Sequence, residues 1–135
     1  MLSPYLRLNK YLKLNMDIYA QNILDHYQRP RHRGRMTNAD VSFQELNRSC
    51  GDDITVFVKM KDDLIANISF EGDGCAISVA MVSILSEEMI GKTKEYVLSL
   101  GLDDLQKLLG IKISPRRSKC ALISLRAIQG ALNSL

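Results

Sequence analysis

Between Ile54 and Phe70 apolar residues alternate with polar ones, and at Gly72-Asp73-Gly74 the alternation stops and a helical pattern takes over. A period of two cannot be kept on one face of a helix, nor a helical period on one face of a strand, so the switch fixes a boundary between element types. The alternation predicts one strand face made of Ile54, Val56, Val58 and Met60 and the next of Leu64, Ala66, Ile68 and Phe70. Lys61-Asp62-Asp63 is the hairpin turn between them. Val41 and Phe43 mark a third strand upstream. From Ala76 to Met89 the pattern is helical, with Gly91 as C-terminal stop. Strands followed by helices exclude a parallel βαβ sheet. The expected class is α+β, a small three-stranded antiparallel sheet packed against several helices.

Further helices flank this unit. Asp17 can cap one that carries Ile18, Tyr19, Ile23, Leu24 and Tyr27 and stops at Pro30, followed by a polar, basic loop. Thr93 and Asp103 are candidate caps for two short helices ending near Gly101 and Gly110. A last helix over Ser118–Asn133 places Cys120, Ser124, Ala127 and Ala131 on one side. Residues 16–135 read as a single domain. Residues 1–15 read as a basic, apolar leader: an upstream start, a short amphipathic docking or membrane-surface helix, or an extra packing helix.

Charge removes some function classes. The formal excess of +3 is carried by Arg7, Lys10 and Lys13, and past residue 15 the charges balance. Binding nucleic acid through phosphates needs clustered Lys and Arg, and five Tyr, three Phe and no Trp offer few stacking platforms. No nucleic-acid partner is expected. Apolar runs fall far short of the ~20 residues a membrane span needs, so no membrane partner is expected either. Three cysteines leave no closed disulfide framework, and no signal pattern heads the chain, which points to a reducing cytoplasm.

Each cysteine has neighbours that a buried structural thiol does not need. Cys50 opens Cys50-Gly51-Asp52 in an inter-strand loop. Cys75 closes Gly72-Asp73-Gly74-Cys75 at a helix N-terminus, and Cys120 follows Arg116-Arg117-Ser118-Lys119 in the first turn of the last helix. A helix N-terminus favours thiolate, the form that binds metal or attacks sulfur. Three thiolates with the Asp52 carboxylate make a four-donor set for Zn²⁺, and cysteine sulfur also suits iron-sulfur clusters. The spacings match no paired C-x-x-C knuckle. Unrelated thiols remain the alternative, with Cys75 a small core residue and Cys120 packed on the side of Ala127.

Longer stretches match a family pattern: Asp25-His26-Tyr27 with Pro30 and Gly34, Asn47 before Cys50-Gly51-Asp52, Gly72-x-Gly74-Cys75-Ala76-Ile77-Ser78, Gly91-Lys92, and Arg117-x-Lys119-Cys120-Ala121. With these, residues 17–133 resemble the IscU/SufU/NifU N-terminal family of iron-sulfur cluster assembly proteins. The resemblance implies that Cys50, Asp52, Cys75 and Cys120 converge at one exposed end to hold zinc or a transient iron-sulfur cluster of the 2Fe-2S type. It also implies a pyridoxal-phosphate-dependent cysteine desulfurase that delivers persulfide sulfur, and downstream iron-sulfur acceptor or carrier proteins. Cys50 is the expected persulfide acceptor and Cys120 the alternative.

Departures from the pattern keep two branches open. IscU-like members have histidine directly before the third cysteine, where this chain has Lys119, as SufU-like members do. SufU-like members carry an added segment before that cysteine, for which the Cys75–Cys120 spacing has no room. Ile113-Ser114-Pro115-Arg116-Arg117 replaces the proline-rich chaperone-recognition motif of IscU, and Arg48 stands where the family often has proline. The expected function is cluster assembly, with a zinc-dependent sulfurtransferase and a structural zinc domain as alternatives. His26 and His32 are read as surface or partner-contact residues. Asp53 is an exposed acid beside the ligand, and Lys119 and Arg117 offset the anionic sulfurs.

Overall fold

The structure, a computed structural model, describes residues 14–135. The leader lies outside the described residues apart from Leu14 and Asn15. Elements run in the order α1 (Leu14–Gln28), β1 (Val41–Asn47), β2 (Asp52–Lys61), β3 (Leu64–Asp73), α2 (Ala76–Glu88), α3 (Lys94–Leu98), α4 (Leu102–Leu109) and α5 (Pro115–Asn133). This is the expected α+β arrangement.

β2 is the central strand, antiparallel to β1 and β3. Ile54, Val56 and Val58 are fully buried on its inner face, as the alternation predicts. Asp62 and Asp63 both adopt positive φ, at 54° and 65°, the geometry of a two-residue hairpin turn whose twist matches the strands. On β3 the expected face holds only in part. A register shift at Lys59/Met60 leaves Ala66 as an extra residue between the pairs Met60–Ile65 and Lys59–Asn67. Such a bulge reverses facing on one side of it. Ile68 and Phe70 point inward, but Ile65 is buried in place of Leu64 and Ala66.

α2 lies at the centre of the helical layer, with every residue from Ile77 to Ser86 buried. Burial on all sides explains its lack of a polar face. Buried hydroxyls here find partners: Ser86 Oγ of α2 donates to the Ser83 carbonyl at 2.6 Å, and Ser124 Oγ of α5 donates to the Ser78 carbonyl of α2 at 2.8 Å. α5 packs on α2, β1 and β2 and buries Cys120, Ser124, Ala127 and Ala131. Gly130 lets the Phe43 ring lie against its backbone, in space a Cβ would occupy.

Some helix boundaries differ from expectation. α1 begins at Leu14, so Asp17 lies inside it. α4 is capped at Gly101, whose N–H donates to the Asp104 carboxylate at 2.9 Å, so Asp103 is not the cap. Thr93 does cap α3, accepting from the Tyr96 N–H. α5 starts three residues early at Pro115, whose missing N–H costs nothing at a helix start. His26 is buried, correcting its surface assignment, and its Nδ1 lies 2.7 Å from Ser83 Oγ. His32 is exposed, with Nδ1 2.9 Å from the Ile68 carbonyl.

Candidate metal centre

Strand register builds the site. The β1–β2 ladder closes on the pair Asn47–Asp52, leaving residues 48–51 as a short loop with Cys50 exposed near its tip. Gly51 makes the turn back with φ 71°. On the other side, Asp53 pairs with Asp73, the last residue of β3, so the chain enters α2 beside the start of β2. Cys75 is the N-cap residue of α2. Its N–H donates to Asp52 Oδ1 at 2.9 Å, one of the helix-terminal donors that would otherwise lack a partner.

Asp52 is only 2% exposed. Ser78 Oγ lies 3.2 Å from Asp52 Oδ1, 3.0 Å from the Cys75 carbonyl and 3.5 Å from Cys75 Sγ, so its single proton has three candidate acceptors. Asp52 Oδ2 is buried with no hydrogen-bond partner. An anionic oxygen held this way is costly to bury without a counter-charge. Gly74 leaves room for this arrangement, because a Cβ there would overlap Ser78 Oγ and Asp52 Oδ1 and force them to shift.

One donor atom each from Cys50, Asp52 and Cys120 lie within 4.8 Å of one another. Cys75 falls outside that trio, though its thiol, like that of Cys50, is near enough to Cys120 to shift it. Cys120 departs from the sequence expectation in two ways. It is the sixth residue of α5 rather than part of its first turn, and it is buried. Burial pushes its thiol pKa up, the neighbouring thiols of Cys75 and Cys50 push the same way, and the charges of Cys75 and Asp52 add to them. Without metal this thiol stays protonated, and helix-dipole activation does not prevail.

The donor set fits a thiophilic ion: the Cys50 and Cys120 sulfurs converge with a carboxylate that has one unpartnered oxygen, and one of the two thiols is exposed. Asp53 points away, accepting from Gln44 Nε2 at 2.9 Å. Neither histidine belongs to the cluster. Lys119 and Arg117 are exposed. Lys119 borders a groove of about 210 Å³ with Glu45, Asn47, Ser49 and Arg126. The Ser78 hydroxyl is a site residue that the sequence reading gave no role. Its signal was position, one helical turn after Cys75, where a hydroxyl can turn back on the helix start.

Residues 18–135 match the NifU-like N terminal domain family over most of the chain. The chain belongs to that family. Within it, this NifU-like domain is 34% identical over 133 residues to the zinc-dependent sulfurtransferase SufU of Bacillus subtilis, covering 85% of this chain and 90% of that one. It is 33% identical over 137 residues to the iron-sulfur cluster assembly scaffold protein IscU of Streptococcus pyogenes, covering 89% and 85%. Among solved structures it resembles an iron-sulfur cluster assembly scaffold protein for the SUF system from Fervidobacterium islandicum, with TM-score 0.71, 30% identity and coverage of 85% and 96%. A NifU-like N-terminal domain from Brucella abortus, 21% identical, shares the fold with TM-score 0.71, covering 87% and 93%. Among the described residues no helix is long and apolar enough to cross a membrane.

Proposed function

We propose that this protein accepts persulfide sulfur from a pyridoxal-phosphate-dependent cysteine desulfurase and assembles or relays an iron-sulfur cluster on Cys50, Asp52, Cys75 and Cys120, in the cytoplasm. The cluster is cargo, passed to downstream acceptor proteins. The observation that carries this reading is the meeting of the Cys50 and Cys120 thiols beside a buried carboxylate that has one unpartnered oxygen and whose other oxygen accepts the Cys75 N–H. Cys50 is the acceptor because it alone of the three is exposed. Its thiolate attacks the outer sulfur of the desulfurase persulfide, forming a new S–S bond as the old one breaks, and the desulfurase cysteine leaves as thiolate. Cys120, buried and protonated, suits holding cargo better than making the first attack.

Lys119 in the position directly before Cys120 favours a second reading, zinc-dependent sulfur transfer, since a protonated lysine adds no ligand near neutral pH. In that reading Zn²⁺ organises the same four residues and another protein builds the cluster. A purely structural zinc site is supported least, because such sites are closed and Cys50 lies open to solvent.

Anaerobic incubation with iron, cysteine and a desulfurase, followed by absorption spectroscopy and metal analysis, separates the readings. Cluster bands with stoichiometric iron support assembly. Retained zinc with faster desulfurase turnover supports transfer, and neither result would reject both.

A further inference from the structure

The two edges of the sheet are finished differently. The outer edge of β3 is covered at both ends by other parts of the chain. Near its C-terminal end Arg33 bridges Phe70, with the Gly34 N–H donating to the Phe70 carbonyl at 2.7 Å and the Phe70 N–H to the His32 carbonyl at 3.0 Å. At its start Thr93 bridges Leu64, the Ile65 N–H donates to the Lys92 carbonyl at 2.9 Å, and the Gly91 N–H donates to the Ile65 carbonyl at 2.8 Å. β1 is the other edge. Among the described residues the backbone of Val41–Leu46 pairs with β2 alone, so its outer row of N–H and C=O groups stays open.

Open edges invite pairing, and proteins commonly guard them with lysine, proline, a bulge or short length. β1 runs seven residues, has an unbroken register with β2, and contains neither lysine nor proline. Beside it lies the groove of about 210 Å³. Lys119, Ile123 and Arg126 share one side of α5, at i, i+4 and i+7, and line this groove together with Glu45, Leu46, Asn47 and Ser49. Lys119 and Arg126 are exposed and form no ion pair among the described residues. Leu46, 49% exposed, adds an apolar contact.

We infer that β1 is a docking edge, to which an extended, carboxylate-bearing segment of a partner protein adds as a fourth strand. Main-chain pairing supplies affinity, and carboxylates on one face of the added strand meet Lys119 and Arg126. Charge disfavours the other occupants. Two copies paired edge to edge would bring the same cations together about a twofold axis. Residues 1–13 carry Arg7, Lys10 and Lys13 and no acid. β1 ends at Asn47 and Ser49 lines the groove, so the docked segment runs up to the loop that carries Cys50. The surface stands whichever group the sulfur site holds.

Titration of the isotope-labelled full chain with the peptide acetyl-TEVEVEVT-amide, followed by amide NMR shifts and hydrogen exchange, tests this. Saturable shifts and slowed exchange centred on residues 41–47 are expected, with the amides of residues 64–73 unmoved. Of two peptides N-methylated at alternate positions, odd or even, one should lose binding because its donors face β1. Arg126→Glu, shown by circular dichroism to fold, should weaken binding by about tenfold or more, and acetyl-TKVKVKVT-amide should bind the parent chain more weakly than the acidic peptide. No saturable binding, shifts centred on β3, both methylated peptides binding like the unmethylated one, the lysine peptide binding as tightly, or an unaffected Arg126→Glu variant would each overturn the docking edge. Dimerisation of the chain through the amides of residues 41–47, seen by sedimentation, would assign the edge to a second copy and overturn it too.

Discussion

Asp52 and Cys75 stand on different elements, yet the Asp52 carboxylate accepts the Cys75 N–H at 2.9 Å. One candidate ligand thus fixes the backbone of another. The same carboxylate holds its second oxygen buried and free of partners among the described residues, so Oδ1 serves the fold while Oδ2 makes no hydrogen bond. Register explains how residues far apart in the chain arrive here: the ends of both ladders, Asn47–Asp52 and Asp53–Asp73, lie side by side.

This division of labour predicts an uneven effect of Asp52→Ala. Without metal the variant loses a helix-capping hydrogen bond, worth about 1 kcal/mol, and part of that loss is offset because an unpaired buried oxygen disappears too. With zinc the loss is much larger, since metal-binding free energy adds to folding free energy. Urea unfolding with zinc and with chelator checks it. Equal losses in both conditions would remove Asp52 from the ligand set. In cluster-loaded protein the substitution should lengthen cluster lifetime, measured by decay of the absorption bands, because the exchangeable oxygen donor is gone.

Gly74→Ala tests how tightly the second ligand is packed. The added methyl overlaps Ser78 Oγ and Asp52 Oδ1, and relieving that overlap moves the carboxylate. Overpacking of this kind costs about 1–3 kcal/mol, and zinc retention against a competing chelator should fall with it. Gly51→Ala is the comparison. A Cβ at Gly51 meets nothing within 4 Å, and only its positive φ resists the change. That variant should lose roughly 1–2 kcal/mol without displacing Asp52, and comparable Asp52 displacement in the two variants, seen by side-chain NMR shifts, would defeat the packing argument.

Much of the architecture was legible because periodicity is a local property. Ile54, Val56 and Val58 alternate, and they face the core. Leu64 and Ala66 alternate with Ile68 too, but a bulge at Ala66 is decided by pairing across to Lys59 and Met60, which no window on one strand contains. His26, near basic residues and far in sequence from the cysteines, read as a surface or partner-contact residue; buried, it finds its partner in Ser83, 57 residues away. At the site, glycines and neighbouring charges flagged each cysteine separately. Their convergence was carried by family resemblance, and the protonated state of Cys120 by neither, since it follows from burial and from the thiols and carboxylate that folding brings near.

Cys120 makes metal binding strongly pH-dependent. Its raised pKa, caused first by burial, means that an incoming ion must displace a proton at neutral pH. Apparent zinc affinity should therefore rise with pH. Cys120→Ser should weaken binding and flatten that rise, because the displaced thiol proton is no longer part of the reaction. Competition titrations between pH 6 and about 8.5, the ordinary thiol value, read both effects. A variant whose affinity climbs as steeply as the parent's would show that the proton comes from elsewhere.

His26 predicts a second pH effect, in folding rather than metal binding. Ser83 Oγ accepts the Arg31 N–H at 2.8 Å and lies 2.7 Å from His26 Nδ1. With no other acceptor for the Ser83 hydroxyl among the described residues, its proton is assigned to Nδ1, which places the imidazole hydrogen on Nε2, 3.8 Å from Glu87. A second proton on the ring would break that arrangement. Burial first, and then the nearby Arg31 charge, lower the His26 pKa from 6.5, with Glu87 and Asp25 opposing. The unfolded chain therefore takes up this proton before the folded one does. Stability from His26 is complete above about pH 6.5 and declines as pH falls toward the folded pKa, with a slope of at most about 1.4 kcal/mol per pH unit. Asp25, itself lowered from 3.8 chiefly by its hydrogen bond with Arg31, titrates below this window. His26→Gln keeps a neutral acceptor and has no proton to gain. Urea unfolding of chelator-treated protein between pH 7.5 and about 5 should show the parent losing stability faster than the variant, and parallel curves would mean that folding leaves the affinity of His26 for its proton unchanged.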